Sequence, residues 1–265
     1  MTSPFLNPSR PTPLLAYASL WLALSAFAQP SQQPSAPATR QPVLVELFTS
    51  EGCSDCPPAD ALLARLDSTQ FVPGAQAIVL SEHVTYWNHL GWRDPFSFDA
   101  MSERQSRYST HFSLDSVYTP QMVVDGGQQF VGSDAAALSR AVTSAAGKPK
   151  LQIAIQNARL ADRTIHFSVK GTASAKTELV VALAEDATRS EVAHGENTGR
   201  TLHHVSVVRT LKELDSNSAD GRALQLSIPA LSGNNKVAGP IRVVAFFADR
   251  QSGRVLGVAE QTISR

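Results

Sequence analysis

Past residue 42 the chain shows two textures. In the first, short apolar runs alternate with stretches of helical spacing. Val43–Phe48 (VLVELF) is mostly apolar and free of turn residues, which predicts a buried strand. Pro57 and Pro58 then open ADALLARLD, where Leu62, Leu63 and Leu66 recur at helical spacing. Proline is tolerated there because the first N–H groups of a helix have no partner within it. Ala77–Val84 (AIVLSEHV) predicts a second buried strand. After the polar, aromatic stretch YWNHLGWRDPFSFD, a helix is expected from Ala100 to about Phe112. QMVVDG and QQFVGS predict a β-hairpin turning at Asp125-Gly126-Gly127, since Asp-Gly suits the tight turns that match strand twist. A third helix, capped by Ser133 or Asp134 and stopped by Gly147, completes the order β-α-β-α-β-β-α.

After Lys148-Pro149 the period changes. LQIAIQNARL, TIHFSVKG, TELVVALAED, HVSVVRTLKEL, ALQLSIPA, IRVVAFFADR and VLGVAEQTI are strand-like, with turn chemistry and no convincing helix between them. Seven short strands of this kind predict an antiparallel sandwich over residues 150–265. The expected fold class is therefore an α/β domain over 43–147 followed by an all-β sandwich-like domain.

The first 42 residues follow neither texture. Leu14–Ala28 is an apolar run of 15 residues, preceded by Arg10 and ending in Ala26-Phe27-Ala28. That is the pattern of a Sec-type signal peptide over 1–28, and the run is short for a membrane span. Residues 29–42, rich in Gln, Pro, Ser and Ala, read as a disordered leader. A periplasmic or secreted bacterial location is expected, with no stable membrane span after cleavage. Removing 1–28 takes away Arg10 alone and leaves a net charge of −1. Such a balance offers no electrostatic footprint for nucleic acid.

Export changes the meaning of the two cysteines, Cys53 and Cys56. A secreted chain stapled for stability usually carries several scattered pairs. A single bridge across so short a loop gains the least from crosslinking. Placed just outside the mouth of a helix, Cys53 would be the exposed, attacking thiol, gaining from unpaired N–H groups and the positive dipole end that favour a thiolate. Cys56, one turn further in, would be the resolving thiol. Asp55 and Glu51 work against the Cys53 thiolate, which points to a reductase or isomerase-like poise rather than a strong oxidant.

A strand, C-x-x-C opening a helix, and Thr-Pro ahead of a hairpin and closing helix together resemble the thioredoxin fold. More closely, ELFTSEGCSDCPPAD, SEHVTYWNHLGWRDPF, YTPQMVVDG and GENTGR-T-L resemble a family of exported bacterial thioredoxin-like proteins of unassigned function. The resemblance implies a thioredoxin-like domain over 43–147, with Cys53 as nucleophile and Cys56 as resolving cysteine in a redox-active disulfide. It implies that Pro120 is the cis-proline facing the disulfide and that Thr119 presents backbone groups to a bound peptide. Glu46 falls near the buried acid of such proteins, one residue further from the first cysteine than usual, with Glu82 as its rival. Gly52 stands where an aromatic is usual.

The residues themselves leave three functions open. The first is thiol–disulfide exchange with protein thiols or disulfides and an unidentified redox partner, with Trp87 and Trp92 lining a peptide groove. The second is a non-catalytic binding module with a passive disulfide. The third is Cu or Zn handling, for which His83, His89 and His111 are available without paired ligand spacing. No metal ligand set and no cofactor are assigned. His203 and His204 are adjacent, so on a strand they face opposite sides. The GENTGR stretch reads either as a hairpin loop or as a loop leaning over the cysteines.

Overall fold

The computed structural model describes residues 40–229 and 239–263. The signal-peptide run and most of the leader lie outside the described residues. In the first half, β1 (Gln41–Thr49), α1 (Pro57–Thr69), β2 (Ala75–His83), α2 (Asp99–His111), β3 (Gln121–Val124), β4 (Gln128–Val131) and α3 (Ala135–Ala146) follow in the order that the hydrophobic pattern predicts. Seven strands succeed them: β5 (Ile153–Ala161), β6 (Thr164–Gly171), β7 (Thr177–Glu191), β8 (Thr201–Asp215), β9 (Asp220–Ser227), β10 (Ile241–Asp249) and β11 (Val255–Ile263).

Local chemistry accounts for the element ends. Pro57 and Pro58 occupy the first positions of α1, directly after Cys56. Asp134 caps α3 through a side-chain oxygen that accepts from the Ala137 N–H at 2.9 Å. The β3–β4 turn runs through Asp125 and Gly126 at positive φ, the conformation that such a turn requires.

How the strands assemble corrects the expected fold class. No α/β thioredoxin-like domain followed by an all-β sandwich-like domain forms. Eight strands from both halves join in one mixed sheet, ordered β11-β10-β7-β8-β2-β1-β3-β4, and only β5, β6 and β9 make a second sheet. The join is a parallel contact of β2 with β8 at Ser81 and Val207. A strand edge exposes unpaired N–H and C=O groups that must find partners. Here β8 covers the outer edge of β2, a pairing between distant segments that leaves no trace in local periodicity.

The two faces of the sheet bury different partners. Val43, Val45, Leu47, Ala77 and Val79 pack with Leu62, Leu63 and Leu66 of α1 and Leu138 and Val142 of α3. On the opposite face Leu44, Ile78 and Leu80 share a core with Met101 of α2 and with Val180, Ala182, Val244 and Phe246 of β7 and β10. The three-stranded sheet covers the remaining face of β7 and β10 through Ile165, Phe167, Val169, Val181 and Phe247. β7 and β8 are each 15 residues long. At roughly 3.3 Å per residue they carry their connecting loop far along the sheet. That loop is the GENTGR segment.

Candidate functional site

β1 ends at Thr49 and the chain passes through Ser50-Glu51-Gly52 to the cysteines. Cys53 and Cys56 form a disulfide, with Cα atoms 5.5 Å apart and Cys56 at the N-cap of α1. The exposed Cys53 that the sequence predicts is not found: both cysteines are buried, at 1% and 0% exposure, because the β7–β8 loop closes over the turn, while Ser54 and Asp55 between them are exposed. Gly52 fits because a side chain there would meet the Cβ of Trp87 at 3.1 Å.

The β7–β8 loop seals this turn. Asn197, itself buried, donates from one side-chain nitrogen to the carbonyls of Glu51 and Cys53, both at 2.9 Å. Its Oδ1 accepts from Arg200 at 2.8 Å. Glu196 accepts from the Ser54 N–H at 3.0 Å, and contacts with Ser54 hold its carboxyl below the usual range. Trp92 bridges the two segments: its indole N–H donates to Glu51 Oε2 at 2.8 Å, and Gly195 packs against its Cβ.

Beneath the turn lies a buried polar cluster. His204 of β8 places Nε2 3.3 Å from Glu51 Oε1 and Nδ1 3.7 Å from Asp60 Oδ1 of α1. Burial would lower the pKa of this imidazole, but the charges and contacts of Asp60 and Glu51 outweigh it and raise it to about 10. The ring is therefore cationic at neutral pH. It meets His83 edge-on, with centroids 4.6 Å apart. His83 Nδ1 is 2.7 Å from Asp94 Oδ2, which also accepts the Glu51 N–H at 2.9 Å. Burial opposes the charge on Asp94; contact with His83 and the N–H groups of Glu51 and Phe96 prevails and lowers its pKa.

The structure brings several sequence-nominated residues to this site. Trp87 lies against Gly52 and donates from its indole to the Thr119 hydroxyl at 2.8 Å. The Thr119–Pro120 peptide is cis. Pro120 is buried and, with Ala59 in the first turn of α1, crowds the space beside Gly132. Of the histidines weighed as ligands, His83 is engaged with Asp94, while His89 and His111 are exposed. Among the described residues no group of three or more His, Cys, Asp or Glu side chains is placed to hold a metal ion.

Glu46 lies elsewhere. On the face of β1 opposite α1 its two oxygens accept from Arg104 Nε and the Tyr108 hydroxyl, each at 2.7 Å. Glu82 joins this group at 3.7 Å from Arg104, and neither of its buried oxygens has a hydrogen-bond partner. Burial, then the neighbouring Glu46, push its pKa well up, more than Arg104 and Arg107 pull it down. The folded protein thus keeps a proton that the unfolded chain releases near pH ~4.3. Because the native state binds more protons, this contribution is full below that pH and is lost as pH rises through the native pKa. Glu82→Gln is expected to remove that decline, measured as the urea unfolding free energy against pH. A variant with the wild-type slope would place the proton on another group.

The family described as "Protein of unknown function (DUF1223)" matches residues 44–246, which span the cysteine pair and the loop that seals it. The chain belongs to this family. The DUF1223 description brings no activity with it and does not carry the thioredoxin-like label. No curated protein matches. Among solved structures the chain is similar to an Agrobacterium tumefaciens protein determined by crystallography, with a TM-score of 0.59 and 22% identity over 84% of this chain and 94% of that one. That likeness concerns the fold alone. A domain of the outer membrane lipoprotein Omp28 from Porphyromonas gingivalis aligns over 44% of this chain and 89% of its own, at 23% identity and a TM-score of 0.28.

Within this DUF1223 chain, the sequence singles out the cysteines, the tryptophans, Thr119, Glu51, His83 and His204, but not Asp60 or Asp94, nor the meeting of these polar side chains beneath the turn. Asp60 sits in the CPPAD motif and looks like any acid in a first helical turn. His204 is marked only by strand alternation, which buries it and leaves His203 exposed. The short spacing from GENTGR to His204 is the signal that ties both to one site.

Proposed function

We propose that the protein is a thiol–disulfide oxidoreductase acting outside the cytoplasm on protein thiols or disulfides, through Cys53 and Cys56. The observation that carries this reading is the Cys53–Cys56 disulfide at the mouth of α1, inside a built polar environment. Its loop is too short for crosslinking to add much stability. In this reading Cys53 is the nucleophile and Cys56 the resolving cysteine, as the proximity of the two sulfurs and the dipole of α1 favour. Thr119, Pro120, Trp87 and Trp92 border the partner's approach. Glu46 belongs to the charge cluster on the other face of the sheet and is not assigned a step at the sulfurs. The poise is that of a reductase or isomerase, exchanging with an unidentified redox partner. The location rests on the signal-peptide pattern and the disulfide; no helix among the described residues is long and apolar enough to cross a membrane.

The burial of both sulfurs favours a second reading, a binding module whose disulfide only ties the loop. The reduction potential separates the two, measured by equilibration with thiol buffers and alkylation. A working pair is expected between about −120 and −270 mV, with exchange abolished by Cys53→Ser. A potential below about −300 mV, where structural disulfides sit, would overturn the oxidoreductase reading in favour of the module.

A further inference from the structure

His204 Nδ1 and Asp60 Oδ1 are both buried and neither has a hydrogen-bond partner. They face each other at 3.7 Å, an ion-pair distance outside hydrogen-bonding range. Buried polar atoms without partners are rare in folded proteins, and each asks for a reason. Their place supplies one. Asp60 lies four residues beyond Cys56 on α1, where its N–H donates to the Cys56 carbonyl at 3.1 Å. Positions four apart share one face of a helix. Glu51, on the other side of His204, is two residues before Cys53 and bonds the ring's second nitrogen. The imidazolium thus sits between the two segments that hold the disulfide.

We infer that His204, held between Glu51 and Asp60, is the cation that stabilises the buried thiolate formed on Cys56 when the disulfide opens. This rests on the oxidoreductase reading. In that chemistry a partner thiolate attacks Cys53 Sγ and forms a new S–S bond. The Cys53–Cys56 bond breaks, and its electron pair remains on Cys56 Sγ. The second thiol of the partner, losing its proton, then attacks the mixed disulfide and expels the Cys53 thiolate. The partner dithiol loses two electrons and two protons; the cysteine pair gains the electrons, the Cys53 thiolate takes one proton and the other leaves to solvent, and the same steps in reverse serve a reductase. The buried species in this sequence is the Cys56 thiolate. A buried anion needs a charge or a donor within reach. The charged and titratable groups around His204 are Asp60 from α1, Glu51 from the turn after β1, and His83 from β2 with Asp94 behind it. Arg209 of β8 itself lies over the Phe96 ring, 5.8 Å from its centroid, and that ring also neighbours His204. Among those in contact with His204, only acids and a second imidazole appear, so its own charge is the one that welcomes an anion.

Two variants, one without the charge and one that keeps it, test this. His204→Gln removes the cation and is expected to make the pair harder to reduce, lowering its equilibrium constant with glutathione about tenfold, a shift of about 30 mV to more negative potential. His204→Lys keeps a cation between the two acids and should leave the potential near that of the wild type. The Cys56 thiolate alone, titrated by its ultraviolet absorbance in the Cys53→Ser background, is expected to form at higher pH with His204→Gln and near the wild-type midpoint with His204→Lys. A structural role would not be rescued by lysine, which matches histidine in shape less well than glutamine does. Unchanged potentials and thiolate midpoints in His204→Gln, or equal shifts in both variants, would overturn the inference while a wild-type potential in the exchange range left the oxidoreductase reading standing. A wild-type potential below about −300 mV would remove both.

Discussion

Arg104→Met is expected to destabilise the fold by about 3–5 kcal/mol, the cost of breaking a buried charge cluster by removing one partner. The guanidinium donates to Glu46 Oε1 and to the Tyr108 hydroxyl, and lies near Glu82. It also packs over the rings of Tyr108 and Phe246, 5.1 and 5.2 Å from their centroids. Methionine preserves much of the volume and the helical preference of α2 but takes the guanidinium away from Glu46 and Glu82. Desolvated carboxyls in that state must take up protons or be solvated by opening the core. A loss of this size is a large part of the roughly 5–15 kcal/mol that holds a domain together. Arg107→Met is the control: its pair with Glu213 is half-exposed on the Arg107 side and should be worth under about 1 kcal/mol. Urea unfolding of both variants checks the prediction. A cost below about 1 kcal/mol for Arg104→Met would show that the cluster does not depend on its cation.

Asn197→Ala is expected to unseal the disulfide. One amide nitrogen satisfies two carbonyls, those of Glu51 and Cys53, and truncation leaves both without that donor. Net hydrogen-bond values of about 1 kcal/mol each put the loss near 2 kcal/mol. If it falls on local opening of the β7–β8 loop, the open fraction rises about thirtyfold. With Cys53 at 1% exposure, attack by a small thiol requires such opening. The rate of reduction by dithiothreitol should therefore rise by about that factor, while the reduction potential moves much less. Glu196→Ala, at an exposed side chain, is expected to act in the same direction and more weakly. An unchanged rate for Asn197→Ala would mean that the sulfurs are reached by another route.

The pattern of apolar residues determined the elements of the first half and the strand character of the second, because burial on one face imposes a period on each. Composition and spacing singled out Cys53 and Cys56, and turn chemistry placed Asp125-Gly126. Resemblance nominated Thr119 and Pro120. What the sequence could not determine was which strand edge meets which. The contact of β2 with β8 is decided by the need to satisfy the backbone groups on the edge of β2, and many strands in the second half have the right period to do so. That single pairing turned two expected domains into one sheet. It also brought Asn197 over the disulfide and His204 beneath it. Glu46 shows the same limit: one residue in the period places it on the α2 face with Arg104 and Tyr108, away from α1. Local chemistry is written in neighbouring residues, whereas this site is assembled by tertiary contacts between segments about 150 residues apart.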